Sequence, residues 1–345
     1  MIGESEILFE QRGAAGLITL NRPKALNALT HEMCLKMKGQ LDRWSKDASI
    51  ESVVIRGAGD RAFCAGGDIR ALYESGKAKT AYAYDFYRDE YILNAAIKHF
   101  PKPYIALING IVMGGGVGVS VHGSHRIASE NVTFAMPETG IGLFPDVGGS
   151  YFLPRCPGEI GMYLALTGAR LRTADMLYAG IATHFVQMTK WDSLIAKLAE
   201  GSAPGDAVKS CSDTVPGGFL AEHRAVIDRI FAGNSVEEIL SALDAERTDW
   251  SEDTARTIRT KSPTSLKVAF RQVRNGARLD FDDCMRMEWR MVNRIIAGHD
   301  FYEGVRATIL DKDGAPKWHP AELRSVSEAD VQAYFAPLEN KELPL

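Results

Sequence analysis

Two carboxylates, Glu138 and Asp146, lie eight residues apart in the glycine-rich stretch MPETGIGLFPDVGG, Met136 to Gly149. Isolated acids are commonly solvated surface groups, and the proline beside Glu138 suits a loop. Here Phe134, Met136, Ile141, Leu143 and Phe144 flank them. Loss of hydration among such residues raises a carboxyl pKa toward the working range of a general acid or base. Just upstream, Gly110-Ile111-Val112-Met113-Gly114-Gly115-Gly116-Val117-Gly118 holds five glycines in nine residues. That density costs more backbone entropy than close helix packing alone warrants. Carboxylates next to backbone that can bring bare N–H groups up to a ligand are what acyl chemistry on an activated carbonyl requires.

A second glycine turn lies in Ala62-Phe63-Cys64-Ala65-Gly66-Gly67-Asp68-Ile69-Arg70. It reads equally well as a strand-to-helix turn capped by Asp68 or as a turn whose freed N–H groups bind an oxyanion. Other candidates are weaker. His122 and His125 in VHGSH have no third ligand nearby in sequence and fit structural hydrogen bonds better than a metal. The apolar Phe-Cys-Ala setting of Cys64 suits a buried, inert thiol. Gly57-Ala58-Gly59 lacks the rest of a dinucleotide fingerprint and no GxxxxGK[ST] occurs, so neither a nicotinamide nor a nucleoside triphosphate site is supported. Glu90, in a helix beside Asp89, reads locally as a surface acid.

The elements that must position these residues follow from periodicity and punctuation. Ile7–Glu10 and Gly16–Leu20 read as strands, and Thr30 as the N-cap of a helix running through Met33, Leu35, Met37 and Leu41, apolar on one face. Ser52–Arg56 and Tyr104–Ile108 read as buried strands, and about Ala81–His99 as a helix between them. Arg126–Ala128 and Thr133–Ala135 look like further short strands. Strand, glycine turn and helix recur, which predicts an α/β fold with parallel strands. Beyond Gly158 helices dominate apart from Thr183–Val186, with helical patterns near Ser235–Asp244, Asp253–Thr260, Ser262–Gly276 and Asp280–Ala297. The Gly, Ser, Pro and Asp punctuation of Gly201–Gly218 marks the best boundary. It divides a catalytic core over 1–200 from a helical region over 201–345.

Composition bounds the partners. The 345 residues carry a formal net charge of −4, which argues against nucleic acid or a polybasic membrane contact, so an anionic ligand needs a local basic group. Five scattered cysteines form no CxxC pair, which fits a reducing compartment without structural zinc or a disulfide framework. The N-terminal MIGESEILFEQRG has no basic-then-apolar pattern, and no run approaches the roughly 18 apolar residues of a membrane span. A cytoplasmic protein is the expectation, and a transit peptide cleaved ahead of this sequence is compatible with it.

Taken together, NRPKALNAL (Asn21–Leu29), AFCAGGDIR, PKPYIALINGIVMGGGVG (Pro101–Gly118) and the MPE-to-DVGG block resemble the enoyl-CoA hydratase/isomerase superfamily, over about Ile7–Val186. The resemblance implies a crotonase-like spiral of ββα units and an acyl-CoA thioester ligand. It also implies an oxyanion hole of two backbone N–H groups, which map onto Gly67 and Gly115. Assembly as trimers or dimers of trimers is implied too, which the helical material after Gly201 could alter.

The departures from that pattern bear on the reaction. Hydratases of the superfamily carry two glutamates; here the first position is Gly118, the second is Glu138, and Asp146 stands where those enzymes have glycine. The longer pattern of FYRDEY, LALTGARL, AGIATHFV, SPTSLK and GHDFYEGVRA extends the resemblance through Trp318 to the 3-hydroxyisobutyryl-CoA hydrolase family. That family hydrolyses a short 3-hydroxyacyl-CoA in valine breakdown, without a cofactor or metal, CoA being part of the substrate. Its substrate-contacting positions correspond to Glu90, Gly115, Glu138 and Asp146. By the same resemblance Glu138 is nucleophile or general base, Asp146 assists proton transfer, and Glu90 binds the hydroxyacyl end. Lys24, Ala25, Ala65 and Gly66 would face CoA, Lys24 supplying charge for its phosphates. An enoyl-CoA hydratase or isomerase is the alternative within the fold, and a non-catalytic acyl-CoA-binding protein the alternative outside catalysis.

Overall fold

Runs of β-branched and other apolar residues become strands in the computed structural model, which describes residues 5–345. The first four residues of the N-terminal segment read above for a targeting signal lie outside the described residues. The strands are β1 (Ile7–Arg12), β2 (Ala15–Leu20), β3 (Ser52–Gly57), β4 (Ala62–Cys64), β5 (Tyr104–Ile108), β6 (Ile111–Met113), β7 (His125–Ala128), β8 (Thr133–Ala135) and β9 (His184–Phe185). They form a six-stranded sheet in the order β1-β2-β3-β5-β7-β9 and a three-stranded sheet β4-β6-β8. β1 and β2 make an antiparallel hairpin, and the other pairings are parallel. The chain passes from a strand of the large sheet to one of the small sheet at β3–β4, β5–β6 and β7–β8. This repeat is the ββα spiral that the resemblance implies.

Two compact units, each drawn from separated segments, make up the chain. One comprises Met1–Asp68, Ile92–Ala135 and Arg170–Ala221; the other comprises Ile69–Tyr91, Met136–Ala169 and Glu222–Leu345. The division expected at Gly201 runs along the chain, whereas these units interleave it.

Among the described residues all nine strands belong to the first unit. β5 is buried at every position, the continuous apolar pattern of a parallel strand covered on both faces. Thr30 caps the helix His31–Lys46 as expected, its hydroxyl accepting from the Met33 N–H. Met33, Met37 and Leu41 are buried, but Leu35, expected with them, is exposed: two residues from Met33 and from Met37, it lies about 200° round the helix from each. The core joins Leu17, Val54, Ile105, Leu107 and Ile127 of the large sheet to Leu194, Ile195 and Leu198 of the helix Trp191–Ala199. The stretch Gly201–Gly218 is not simply a loop. Pro204 opens a helix to Cys211 that buries Ala207, Val208 and Cys211 in this core. Proline at the first helical position starts a helix rather than breaking one, and three apolar residues at helical spacing outweigh the surrounding punctuation.

The second unit is helical. The helix Ile160–Thr167 is buried at all positions, and it follows the helix Gly149–Phe152 and the turn Leu153–Arg155. The helices Pro263–Gly276 and Phe281–Ile295 reach back to this region. A Cβ at Gly276 would lie 1.9 Å from the carbonyl oxygen of Ser150, so only glycine permits that approach. Among the described residues no helix is long and apolar enough to cross a membrane.

Candidate active site

Carboxylates gather in the second unit. Glu138 opens a tight turn, Glu138–Ile141, which ends at Gly142 in the left-handed region with φ 72°. The turn is held by residues of the SPTSLK and GHDFYEGVRA motifs. The Ser262 N–H donates to the Thr139 carbonyl at 3.1 Å. The Ser262 hydroxyl donates to Asp300 at 2.6 Å, and a Cβ at Gly142 would come within 2.3 Å of the Asp300 carbonyl. Asp146 sits on the next turn, where the Tyr91 hydroxyl donates to its Oδ2 at 3.0 Å. Glu90 precedes Tyr91 on the helix Tyr82–Lys98 and is 2% exposed. The local reading of Glu90 as a surface acid is therefore corrected. It falls one turn after Phe86 and two after Ala83, both buried, which puts it on the inward face.

A fourth acid, Glu288 of the helix Phe281–Ile295, is fully buried in the same unit. Sequence reasoning passed over it, and also over Tyr87 and Tyr91. The signal for Glu288 was present: it is a lone acid between Cys284 and Val292, four residues on either side, in the apolar stripe of its helix.

The electrostatics follow from burial. Exclusion of water pushes the carboxyls of Glu90 and Glu138 well above the usual carboxylate range, and the charge of Asp146 adds to it. Burial also pushes Asp146 up to about 7, against the pull of the Tyr91 hydroxyl. Glu288 is pushed up to about 8 by burial, opposed by the hydrogen bonds it receives. The same exclusion raises the phenols of Tyr87 and Tyr91, which stay protonated and able to donate. Glu90 Oε1, Glu138 Oε2 and the Tyr87 hydroxyl are buried without a hydrogen-bond partner among the described residues. Buried polar atoms are rarely left so, and three in one neighbourhood mark a place built for a polar ligand. Among the described residues no group of three His, Cys, Asp or Glu side chains is arranged to hold a metal ion.

The glycine turns belong to the first unit. Leu29 bridges Gly67 in parallel fashion through two bonds, Leu29 N–H to the Gly66 carbonyl at 2.8 Å and Asp68 N–H to the Leu29 carbonyl at 2.9 Å. In such a bridge the N–H of the middle residue, Gly67, points to the opposite side. Gly114 adopts φ 46°, ψ −125°, and turns the chain so that Gly115 begins the short helix Gly115–Gly118. Among the described residues no hydrogen bond takes the N–H of Gly67 or of Gly115. The two turns are adjacent, a Cβ at Gly66 falling 3.9 Å from the Gly115 nitrogen. Packing accounts for Gly116, whose Cβ would meet the Cys64 carbonyl oxygen at 2.2 Å. Lys24 and Ala25 lie exposed on the turn Pro23–Ala25, and the Ala65 N–H donates to the Leu26 carbonyl just beyond it at 3.0 Å. Asp68 accepts from Arg22 at 3.2 Å. The sequence-derived residues thus fall into two sets, Lys24, Ala25, Ala65, Gly66, Gly67 and Gly115 in the first unit and Glu90, Glu138 and Asp146 in the second.

Comparison with known proteins adds the relationship. A family model described as enoyl-CoA hydratase/isomerase matches residues 15–335. The chain is 50% identical over 351 residues to the mitochondrial 3-hydroxyisobutyryl-CoA hydrolase of Danio rerio, covering 99% of this chain and 92% of that one. It is 46% identical over 348 residues to the protein of the same name from Homo sapiens, covering 98% and 90%. Among solved structures, a carnitinyl-CoA dehydratase from Mycobacterium thermoresistibile is similar with a TM-score of 0.94 at 43% identity, covering 99% of each chain. An enoyl-CoA hydratase from Rhodobacter sphaeroides gives 0.93 at 40% identity, covering 99% of this chain and 100% of that one. With the family model spanning nearly the whole sequence and the ββα spiral in place, the chain belongs to the enoyl-CoA hydratase/isomerase family and has the crotonase fold.

Proposed function

We propose that this protein hydrolyses the thioester of 3-hydroxyisobutyryl-CoA, or of a close short 3-hydroxyacyl-CoA, to the free acid and CoA. The observation that carries the reading is the buried carboxylate group of Glu138, Asp146 and Glu90, with polar atoms on Glu90, Glu138 and Tyr87 that have no partner among the described residues. The names of the relatives from Danio rerio and Homo sapiens support it.

In the proposed reaction water adds to the thioester carbonyl carbon. The carbonyl oxygen takes up negative charge and receives the N–H groups of Gly67 and Gly115, a contribution of about 3 kcal/mol per donor at typical strength. Glu138 removes the proton of the attacking water, or attacks directly and is released by water afterwards. Its raised pKa makes it a stronger base near neutrality than an ordinary carboxylate. Collapse breaks the C–S bond, and the thiolate leaves with a proton relayed through Asp146. Glu90 binds the 3-hydroxyl end. Lys24, Ala25, Ala65 and Gly66 attend CoA, which is substrate and not cofactor; no metal takes part.

A second reading, hydration or dehydration of an enoyl-CoA, is favoured by the titles of the two solved relatives. Gly118 weighs against it: where a hydratase of the superfamily has its first glutamate, this chain has a buried residue with no side chain. Free-thiol release decides between them. The purified protein is expected to liberate CoA-SH from 3-hydroxyisobutyryl-CoA and to leave crotonyl-CoA largely unhydrated. Hydration as fast as hydrolysis would overturn the assignment, and binding without turnover would make the protein a non-catalytic acyl-CoA binder.

The pathway we propose is valine breakdown. All five cysteines are buried and none is bridged in a disulfide, in keeping with a reducing compartment. The curated relatives are named mitochondrial, and the cytoplasmic expectation draws no support from them.

A further inference from the structure

The turn that carries Asp146 is an unfavourable one. Val147, immediately after it, is fully buried at φ 50°, a left-handed conformation that a β-branched residue adopts only when its surroundings impose it. Two buried side chains from distant helices grip this turn on either side of Asp146. Gln272 Nε2 donates to the Pro145 carbonyl at 2.6 Å. Glu288 Oε2 accepts the Gly148 N–H at 2.8 Å, and its Oε1 accepts the Ser150 N–H at 2.9 Å together with the Ser150 hydroxyl. Both carboxylate oxygens are thereby engaged on backbone within four residues of Asp146, and nothing of Glu288 reaches solvent.

We propose that Glu288 is a positioning residue: by holding the N–H groups of Gly148 and Ser150 it maintains the strained Val147 turn and so sets where the Asp146 carboxylate stands. The inference rests on the hydrolase reading, in which Asp146 takes part in proton transfer. Groups that feel Glu288 from the packed elements are Asp146 and Ser150 on the turn, Glu90 and Tyr91 on the helix Tyr82–Lys98, Glu138, and Cys284 one turn earlier on its own helix. The acid thus acts within a network of carboxyls and not as an isolated buried charge.

Glu288→Gln tests the proposal, since it keeps side-chain length but turns one acceptor into an N–H donor facing a backbone N–H. A folded variant is expected to lose kcat for thiol release by at least about tenfold with KM changed less than about threefold. Hydrogen exchange at the Gly148 and Ser150 amides should quicken by at least about tenfold. In an Asp146→Asn background the same substitution should add less than about threefold, because the group it positions is already disabled. Wild-type kcat in the folded variant, or losses that simply multiply in the double variant, would overturn the proposal. Should Glu288→Gln not fold, Glu288→Asp keeps the carboxyl group but is one methylene too short to span both amides. It is expected to show the same kcat loss and exchange, and wild-type values in it also overturn the proposal. A wild-type protein that releases no thiol would instead remove the hydrolase reading. Amide exchange then decides on Glu288 alone, quickened exchange supporting its hold on the turn and unchanged exchange refuting it.

Discussion

Replacing Asp146 by asparagine should make the protein more stable and far less active, and the stability gain should depend on pH. The carboxyl is 3% exposed and titrates near 7 instead of the ordinary 3.8. Keeping it ionised in the folded state therefore costs up to about 4 kcal/mol relative to the unfolded chain. Below about pH 4 both states hold the proton and no penalty arises; as pH rises the unfolded chain ionises first, and stability drains until the folded carboxyl ionises near pH 7. The asparagine side chain has no such titration, so the variant's advantage should grow by about 2–3 kcal/mol between pH 5 and pH 8. Against this stands the amide group, whose N–H pair must find acceptors where Tyr91 now donates, at a cost of about 1–3 kcal/mol. The net expectation is a melting temperature a few degrees above wild type at pH 8, with the advantage shrinking toward pH 5. Melting curves across that range, paired with thiol-release kinetics, measure both effects. The kcat should fall by about 10²-fold or more, the scale of a positioned proton-transfer group. A stability difference that is flat with pH, or largest at pH 5, would refute the electrostatic reasoning, and an unchanged kcat would return Asp146 to the role of a loop acid.

Glu138→Gln keeps shape but removes basicity, so kcat should fall by at least about 10²-fold; a loss confined to KM would show that Glu138 only binds. Because burial makes Glu138 hold its proton more tightly than an ordinary carboxylate, the acidic limb of the wild-type kcat/KM profile should lie above the usual carboxylate range. A flat profile through pH 5 would contradict this. Gly115→Val should remain folded by circular dichroism and melting while kcat/KM drops steeply, and a folded, fully active variant would remove the Gly115 N–H from the mechanism. Gly16→Ala probes packing only: its Cβ would lie 2.8 Å from the Trp44 ring, so we expect destabilisation of about 1–3 kcal/mol with kcat/KM unchanged. Wild-type melting would show that Trp44 can give way at no cost.

Much of the fold was legible locally. β-branched runs such as Ser52-Val53-Val54-Ile55 and the capped helix after Thr30 carry their own signals, and short-range periodicity suffices to read them. The helix that Pro204 opens was not, since punctuation residues start helices as readily as they end them and burial of Val208 and Cys211 decided the outcome. The site divides in the same way. Glu138 and Asp146 stand in an apolar neighbourhood supplied by their own chain segment, and their raised pKa values follow the direction that neighbourhood suggested. Glu90 needed the helix face to be read, and its acidic neighbour Asp89 obscured it.

By itself the sequence determined the strand and helix pattern, the two glycine turns and the presence of acids in apolar stretches, because each depends on residues within a turn or two of one another. Only the tertiary structure decided that Glu288, 138 residues from Ser150 and 140 from Gly148, would grip the Asp146 turn. It alone also decided that Tyr91, 55 residues away, would donate to the carboxylate. Hydrogen bonding acts over about 3 Å, and the exclusion of water that lifts these carboxyls requires every covering element at once. Neither can be read along a chain before it has closed on itself.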